Sequence, residues 1–93
     1  MDKLSAMKSF VAVVQAGSFT AAAKTLAVPK SRVSQRVQDL ETSLSARLLN
    51  RTTRELSLTD DGKVYLQRCL QIINEVDEAD RALHRRGEHA IGK

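Results

Sequence analysis

Four polar residues close together, Ser31, Arg32, Gln35 and Gln38, are spaced so that a helix would gather them on one side. Their chemistry suits the reading of base edges. Glutamine sets an acceptor beside a donor, which matches adenine; arginine can bridge the two acceptors of guanine; serine can meet a base edge or a phosphate. Downstream, Arg51 and Arg54 flank Thr52 and Thr53, and cations on a short turn can lie along phosphates or enter a narrow minor groove. Each feature has an ordinary alternative. Such polar residues populate any solvated helix face, and arginines on a turn commonly serve solubility.

The elements that would carry these side chains can be read from the apolar spacing. Leu4, Met7, Phe10, Val11 and Val14 share one helical face between Lys3 and Ala16, and Gly17 stands where a helix would end. Ser18 can cap a second, short helix whose stripe of Phe19, Ala22, Ala23 and Leu26 is narrow enough for close helix approach. Pro29 disfavours the helical conformation at Val28 and breaks the pattern. A third helix starts at or just after Pro29, with Val33, Val37, Leu40 and Leu44 inward and the polar residues outward. The run from Asn50 to Thr59, with paired threonines and Leu56 and Leu58 in alternation, reads as a small β-hairpin. Thr59 is a suitable N-cap, followed by Asp60 and Asp61 in a first turn favoured by the helix dipole. The helix so begun is expected to reach about Arg86, with a frayed end from Gly87.

This last helix carries a heptad seam of Tyr65, Cys69, Ile72, Val76, Ala79 and Leu83. Leu66, Leu70 and Ile73 form a second stripe in its first half only. The first half is expected to pack on the domain body while the whole seam meets another helix. Nothing else in the chain is long enough to cover it, so the expected partner is a second copy.

Composition narrows the class. Ninety-three residues make one domain, and only three of them are aromatic, which favours helix packing over an aromatic-lined pocket. Residues 29–54 hold six Lys and Arg against two acids, whereas residues 55–93 hold six against eight. A positive middle and an acidic end suggest one surface that meets a polyanion and another that does not. Cys69 is the sole cysteine, so neither an intrachain disulfide nor a cysteine-rich zinc cluster can form. No stretch approaches the ~20 apolar residues of a membrane span, nor do the first residues hold an apolar signal-peptide core. A soluble, cytoplasmic protein is expected. His84 and His89 sit among charges without nearby partners, so no metal or other cofactor is expected. Asp60 and Asp61 lack any accompanying nucleophile or pocket and read as helix-start charges, which argues against an enzyme.

The order and wording of these segments resemble the N-terminal domain of LysR-type transcriptional regulators. Carrying the resemblance from Met1 to about Leu70 are Gly17-Ser18-Phe19, Ala22-Ala23, Val33-Ser34, Leu40-Glu41, Arg51-Thr52-Thr53-Arg54, Leu58-Thr59 and Gly62. It implies a mainly α, winged helix-turn-helix fold: three helices plus a small hairpin wing, then a long linker helix that pairs antiparallel with its copy. On that reading residues 1–58 are the DNA-binding domain, 59–86 the dimerisation helix and 87–93 a flexible tail. The family's groove-facing residues fall on Lys30, Ser31, Ser34 and Gln35, and its wing arginine on Arg54. Helical projection and resemblance agree on Ser31 and Gln35. The partner implied is double-stranded DNA with inverted half-sites, bound by a homodimer. A small-molecule effector would act through a C-terminal domain of two α/β lobes that this chain lacks. Three residues depart from the family pattern: Ala27 and Ser45 stand where glycine is usual, and Pro29 where a capping serine is common. The competing expectation is a helical interaction module that dimerises through the seam and has only non-specific DNA affinity.

Overall fold

Helix α1 (Lys3–Ala16) starts at Asp2, whose carboxylate accepts from the Ser5 backbone N–H at 3.2 Å and from its hydroxyl at 2.8 Å. These hydrogen bonds from Ser5 hold the Asp2 carboxyl below the usual carboxylate range. Gly17 ends the helix with φ of 85°, its N–H closing on the Val13 carbonyl at 2.9 Å. Ser18 then caps α2 (Phe19–Leu26), its hydroxyl accepting from the Ala21 N–H at 3.0 Å. The structure is a computed structural model that describes residues 1–51 and 55–91, with side chains described up to residue 86.

Helix α3 (Lys30–Leu44) has no side-chain cap, because Pro29 offers none; the Pro29 carbonyl instead receives the Arg32 and Val33 N–H groups at 3.0 and 3.3 Å. Val33, Val37 and Leu40 are wholly buried against Phe10 and Val13 of α1 and Ala22 of α2. The small side chains of Ala22 and Ala23 let α2 close on this core. Strands β1 (Leu49–Asn50) and β2 (Ser57–Leu58) pair antiparallel, Leu49 opposite Leu58 and Asn50 opposite Ser57. Helix α4 (Asp60–Ile91) follows directly. The winged helix-turn-helix architecture expected from the sequence is therefore present.

Two tight packing devices fix where α4 leaves the body. Thr59 caps it as expected: its hydroxyl accepts from the Gly62 N–H at 2.9 Å and donates to the Arg47 carbonyl at 2.5 Å, while its own N–H donates to Leu48 O at 3.0 Å. One turn on, a Cβ added to Gly62 would lie 2.1 Å from the Leu48 carbonyl oxygen, so only glycine fits there. The far end differs from expectation. Rather than stopping near Arg86, the helical backbone runs through Gly87 to Ile91. A lone glycine costs a helix only about 1 kcal/mol relative to alanine and is no stop signal by itself.

The two departures at glycine positions prove to be left-handed turns. Ala27 ends α2 at φ 58°, ψ 43°, and Ser45 ends α3 at φ 53°, ψ 40°. Each N–H still reaches back into its helix, so the caps are intact while the Cβ is strained by about 1–2 kcal/mol per site. Replacing Ala27 or Ser45 with glycine should accordingly raise stability by about 1 kcal/mol each, a rise in Tm of roughly 4–8 °C for a domain of this size. Thermal unfolding at fixed protein concentration checks this; a fall in Tm for both variants would show that the turns carry no such strain.

Candidate nucleic-acid interface

The outward side of α3 is built by default. Its inward stripe is consumed by the core, so Ser31, Gln35 and Gln38, spaced four and three residues apart, face outward and are exposed. Lys30 and Arg32 are also exposed, while Ser34, on the flank toward the buried face, is half-buried. Lys30 lines an open groove of about 350 Å³ with Gly17, Ser18, Phe19, Thr20, Asn50, Arg51 and Leu56, which joins the starts of α2 and α3 to the wing base. Gln38 lies at the opposite end, beside Arg47 in a second shallow groove. Gln35 is tied within its own helix: its amide nitrogen donates to the Asp39 carboxylate at 2.8 Å.

The wing base is held by a group that composition and spacing did not single out. Glu41 is 5% exposed and on the buried side of α3. One carboxylate oxygen accepts the Leu48 and Leu49 N–H groups at 2.7 and 3.2 Å; the other meets the Arg51 guanidinium at 3.0 Å. The guanidinium also sits over the Phe19 ring, 5.5 Å from its centre. Arg51, expected to contact DNA, is thus turned inward: a buried carboxylate demands a counter-charge, and Arg51 supplies it. The signal in the sequence was Glu41 itself, an acid adjoining the apolar stripe and followed ten residues later by an arginine. Thr52 and Arg54, the other expected wing contacts, lie outside the described residues.

The structure divides the seam on α4. Cys69 is fully buried in the chain's own core, and Tyr65 is half-buried with its ring 6.1 Å from that of Phe10. Burial pushes the Cys69 thiol up to about 11. Both residues were expected at a dimer interface; α1 lies against this part of α4 and covers them first, together with Leu66 and Ile73. Farther along, Ile72 and Leu83 are 44% and 71% exposed, Ala79 is exposed and Val76 half-buried. The apolar seam left uncovered therefore starts at Ile72. Among the described residues no helix is long and apolar enough to cross a membrane, and no group of three or more His, Cys, Asp or Glu could hold a metal ion.

Residues 4–63 match the family described as bacterial regulatory helix-turn-helix protein, lysR family. An HTH-type transcriptional repressor of Pseudomonas aeruginosa is 55% identical over 93 residues, all of this chain but 29% of the relative. The HTH-type transcriptional activator AaeR of Escherichia coli is 41% identical over 92 residues, covering 99% of this chain and 30% of the relative. The chain thus spans about three tenths of the length of such relatives. Among solved structures, the BenM DNA-binding domain in complex with benA site 1 DNA superposes with a TM-score of 0.87 at 32% identity, over 94% of this chain and 97% of the other.

The Glu41 cluster makes a measurable claim about stability. Glu41→Ala strands two backbone N–H groups and the Arg51 charge, and should cost about 4 kcal/mol; Arg51→Met should cost about 2 kcal/mol, since the carboxylate keeps its two N–H donors. Urea unfolding of both single variants and the double variant checks the claim through the coupling energy, which should exceed about 1 kcal/mol. Additive losses would mean that the two side chains act independently.

Proposed function

Because the chain belongs to the lysR family of bacterial regulatory helix-turn-helix proteins, we propose that it reads operator DNA as a homodimer through the outward face of α3. It is the helix-turn-helix DNA-binding domain of a transcriptional regulator. The observation that carries the proposal is the division of α3 into a wholly buried apolar back and an exposed polar front of Ser31, Gln35 and Gln38, with Lys30 and Arg32 at its N-terminal end. A helix divided in this way, next to a wing and after a short helix and a turn, can enter a major groove with its polar residues against base edges. Lys30 and Ser34 flank that front, Lys30 beside the wing base, where contacts to the backbone fix register. In this reading Thr52 and Arg54 grip the flanking phosphates or minor groove, and the protein works in the cytoplasm, where its DNA is.

Dimerisation is assigned to Ile72, Val76, Ala79 and Leu83, whose uncovered apolar stripe supports a helix-to-helix interface. A two-fold dimer places one α3 in each of two major grooves, so the site consists of inverted half-sites about a helical turn, or a multiple of it, apart. Response to a small molecule belongs to further sequence of the kind that makes its relatives more than three times as long.

Selection from a randomised duplex pool should return a motif with inverted symmetry. A folded chain that enriches no motif would favour the interaction-module reading instead. Within the selected site, Gln35→Ala should relax preference at one base per half-site, whereas Arg54→Ala should weaken all sequences alike and reduce the slope of log K against log salt by about one. Leu83→Glu, on a side chain already 71% exposed in the single chain, should leave the circular dichroism spectrum unchanged. The same variant should shift sedimentation to the monomer and lower site affinity more than about tenfold. A dimer undisturbed by Leu83→Glu would move the interface elsewhere.

A further inference from the structure

We infer that Asp39 is a specificity-determining positioning residue, which fixes the Gln35 amide so that it reads adenine and rejects guanine; the inference rests on the reading of α3 as the groove-facing helix. The geometry is an i, i+4 pair on the exposed side of α3, with Gln35 Nε2 at 2.8 Å from Asp39 Oδ1. A carboxylate only accepts hydrogen bonds, so the nitrogen of the amide must face Asp39 and the amide oxygen must face away. The orientation that a free glutamine leaves undetermined is therefore set before any base is met.

The consequence lies in counting donors. A free glutamine amide has two N–H groups and one oxygen, and by rotating it can offer donors to the acceptors of guanine or a donor and an acceptor to adenine. With one N–H committed to Asp39, a single N–H and the oxygen remain. That pair matches adenine, whose N7 accepts and whose N6 donates. Against guanine, with acceptors at both N7 and O6, the amide oxygen would face another oxygen, and turning the amide over would break the bond to Asp39. The penalty for guanine is a lost hydrogen bond plus an unpaired acceptor, of the size that separates right from wrong bases in bidentate contacts. Holding the side chain in one rotamer also removes entropy that binding would otherwise have to take from it.

The test compares wild type, Asp39→Ala, Asp39→Asn and Gln35→Ala by fluorescence anisotropy. The probes are the selected duplex and duplexes in which each A·T pair of a half-site is changed in turn to G·C. Wild type should prefer adenine by about tenfold at one position per half-site, and Gln35→Ala should lose that preference. Asp39→Ala should reduce the same preference to less than about threefold, and Asp39→Asn, which keeps an oxygen acceptor without the charge, should restore it. If Asp39→Ala keeps the tenfold preference while Gln35→Ala loses it, the clamp is overturned and the groove-facing reading stands. If Asp39→Asn loses the preference as fully as Asp39→Ala, charge and not the hydrogen bond is responsible, and the proposal fails. If Gln35→Ala itself changes nothing, the reading beneath the proposal falls with it.

Discussion

The Glu41 carboxylate takes two backbone N–H groups of the segment entering the wing with one oxygen and the Arg51 guanidinium with the other. Because Glu41 rides on α3, this ties the helix that faces outward to the strand that begins the wing. A wing of two-residue strands has too few ladder bonds to hold its own place. Its orientation is borrowed from the body through a charge-assisted contact that apolar packing could not replace, since two N–H donors in a buried place need an acceptor. Arg51 then closes the arrangement from the other side, resting on Phe19 at the start of α2. One side chain thereby links α2, α3 and the wing, the three parts that the proposed reading brings against a duplex together.

The chain was legible wherever a pattern repeats and opaque wherever a single side chain chooses between partners. The apolar stripes gave the helices because burial on one face is a periodic property, and the caps at Ser18 and Thr59 followed from hydrogen-bonding chemistry local to a few residues. The outward set on α3 followed in turn, as the complement of Val33, Val37 and Leu40. Arg51 shows the opposite case. Its chemistry fits phosphate and carboxylate equally, and nothing local says that Glu41 lies within reach across ten residues of chain. Cys69 and Tyr65 pack within the chain, which the pattern alone does not specify, because a heptad seam tells which residues want cover but not which neighbour arrives first.

The left-handed turns at Ala27 and Ser45 show how the departures from the family's glycines are absorbed. Each residue keeps the backbone hydrogen bonds that end its helix, so the direction of the chain is preserved and only the local torsion is strained. Both turns lie at the ends of helices that the core already holds, Ala22 and Ala23 before one and Leu40 before the other. Strain of this size survives where the surroundings over-determine the geometry. Gly62 has no such freedom, because there the obstacle is a carbonyl oxygen within the body and not a torsional preference.

Helix α4 belongs to the folded body and to the uncovered seam at once, and this governs how two copies would present their α3 helices. Its Tyr65, Leu66, Cys69 and Ile73 are packed on the core, and the exposed seam starts at Ile72, so the two surfaces overlap along the helix without an intervening loop. Thr59 and Gly62 fix the start of the helix against Arg47 and Leu48, next to the Glu41 cluster. A continuous helix of 32 residues spans about 48 Å, and no glycine or proline interrupts it between Gly62 and Gly87. Were a flexible linker placed there instead, each domain would search for its half-site independently and spacing would be loosely selected. In the dimer proposed above, a seam rigidly continuous with the body would make the distance between two α3 faces a property of the fold, and the spacing of half-sites part of what the protein reads.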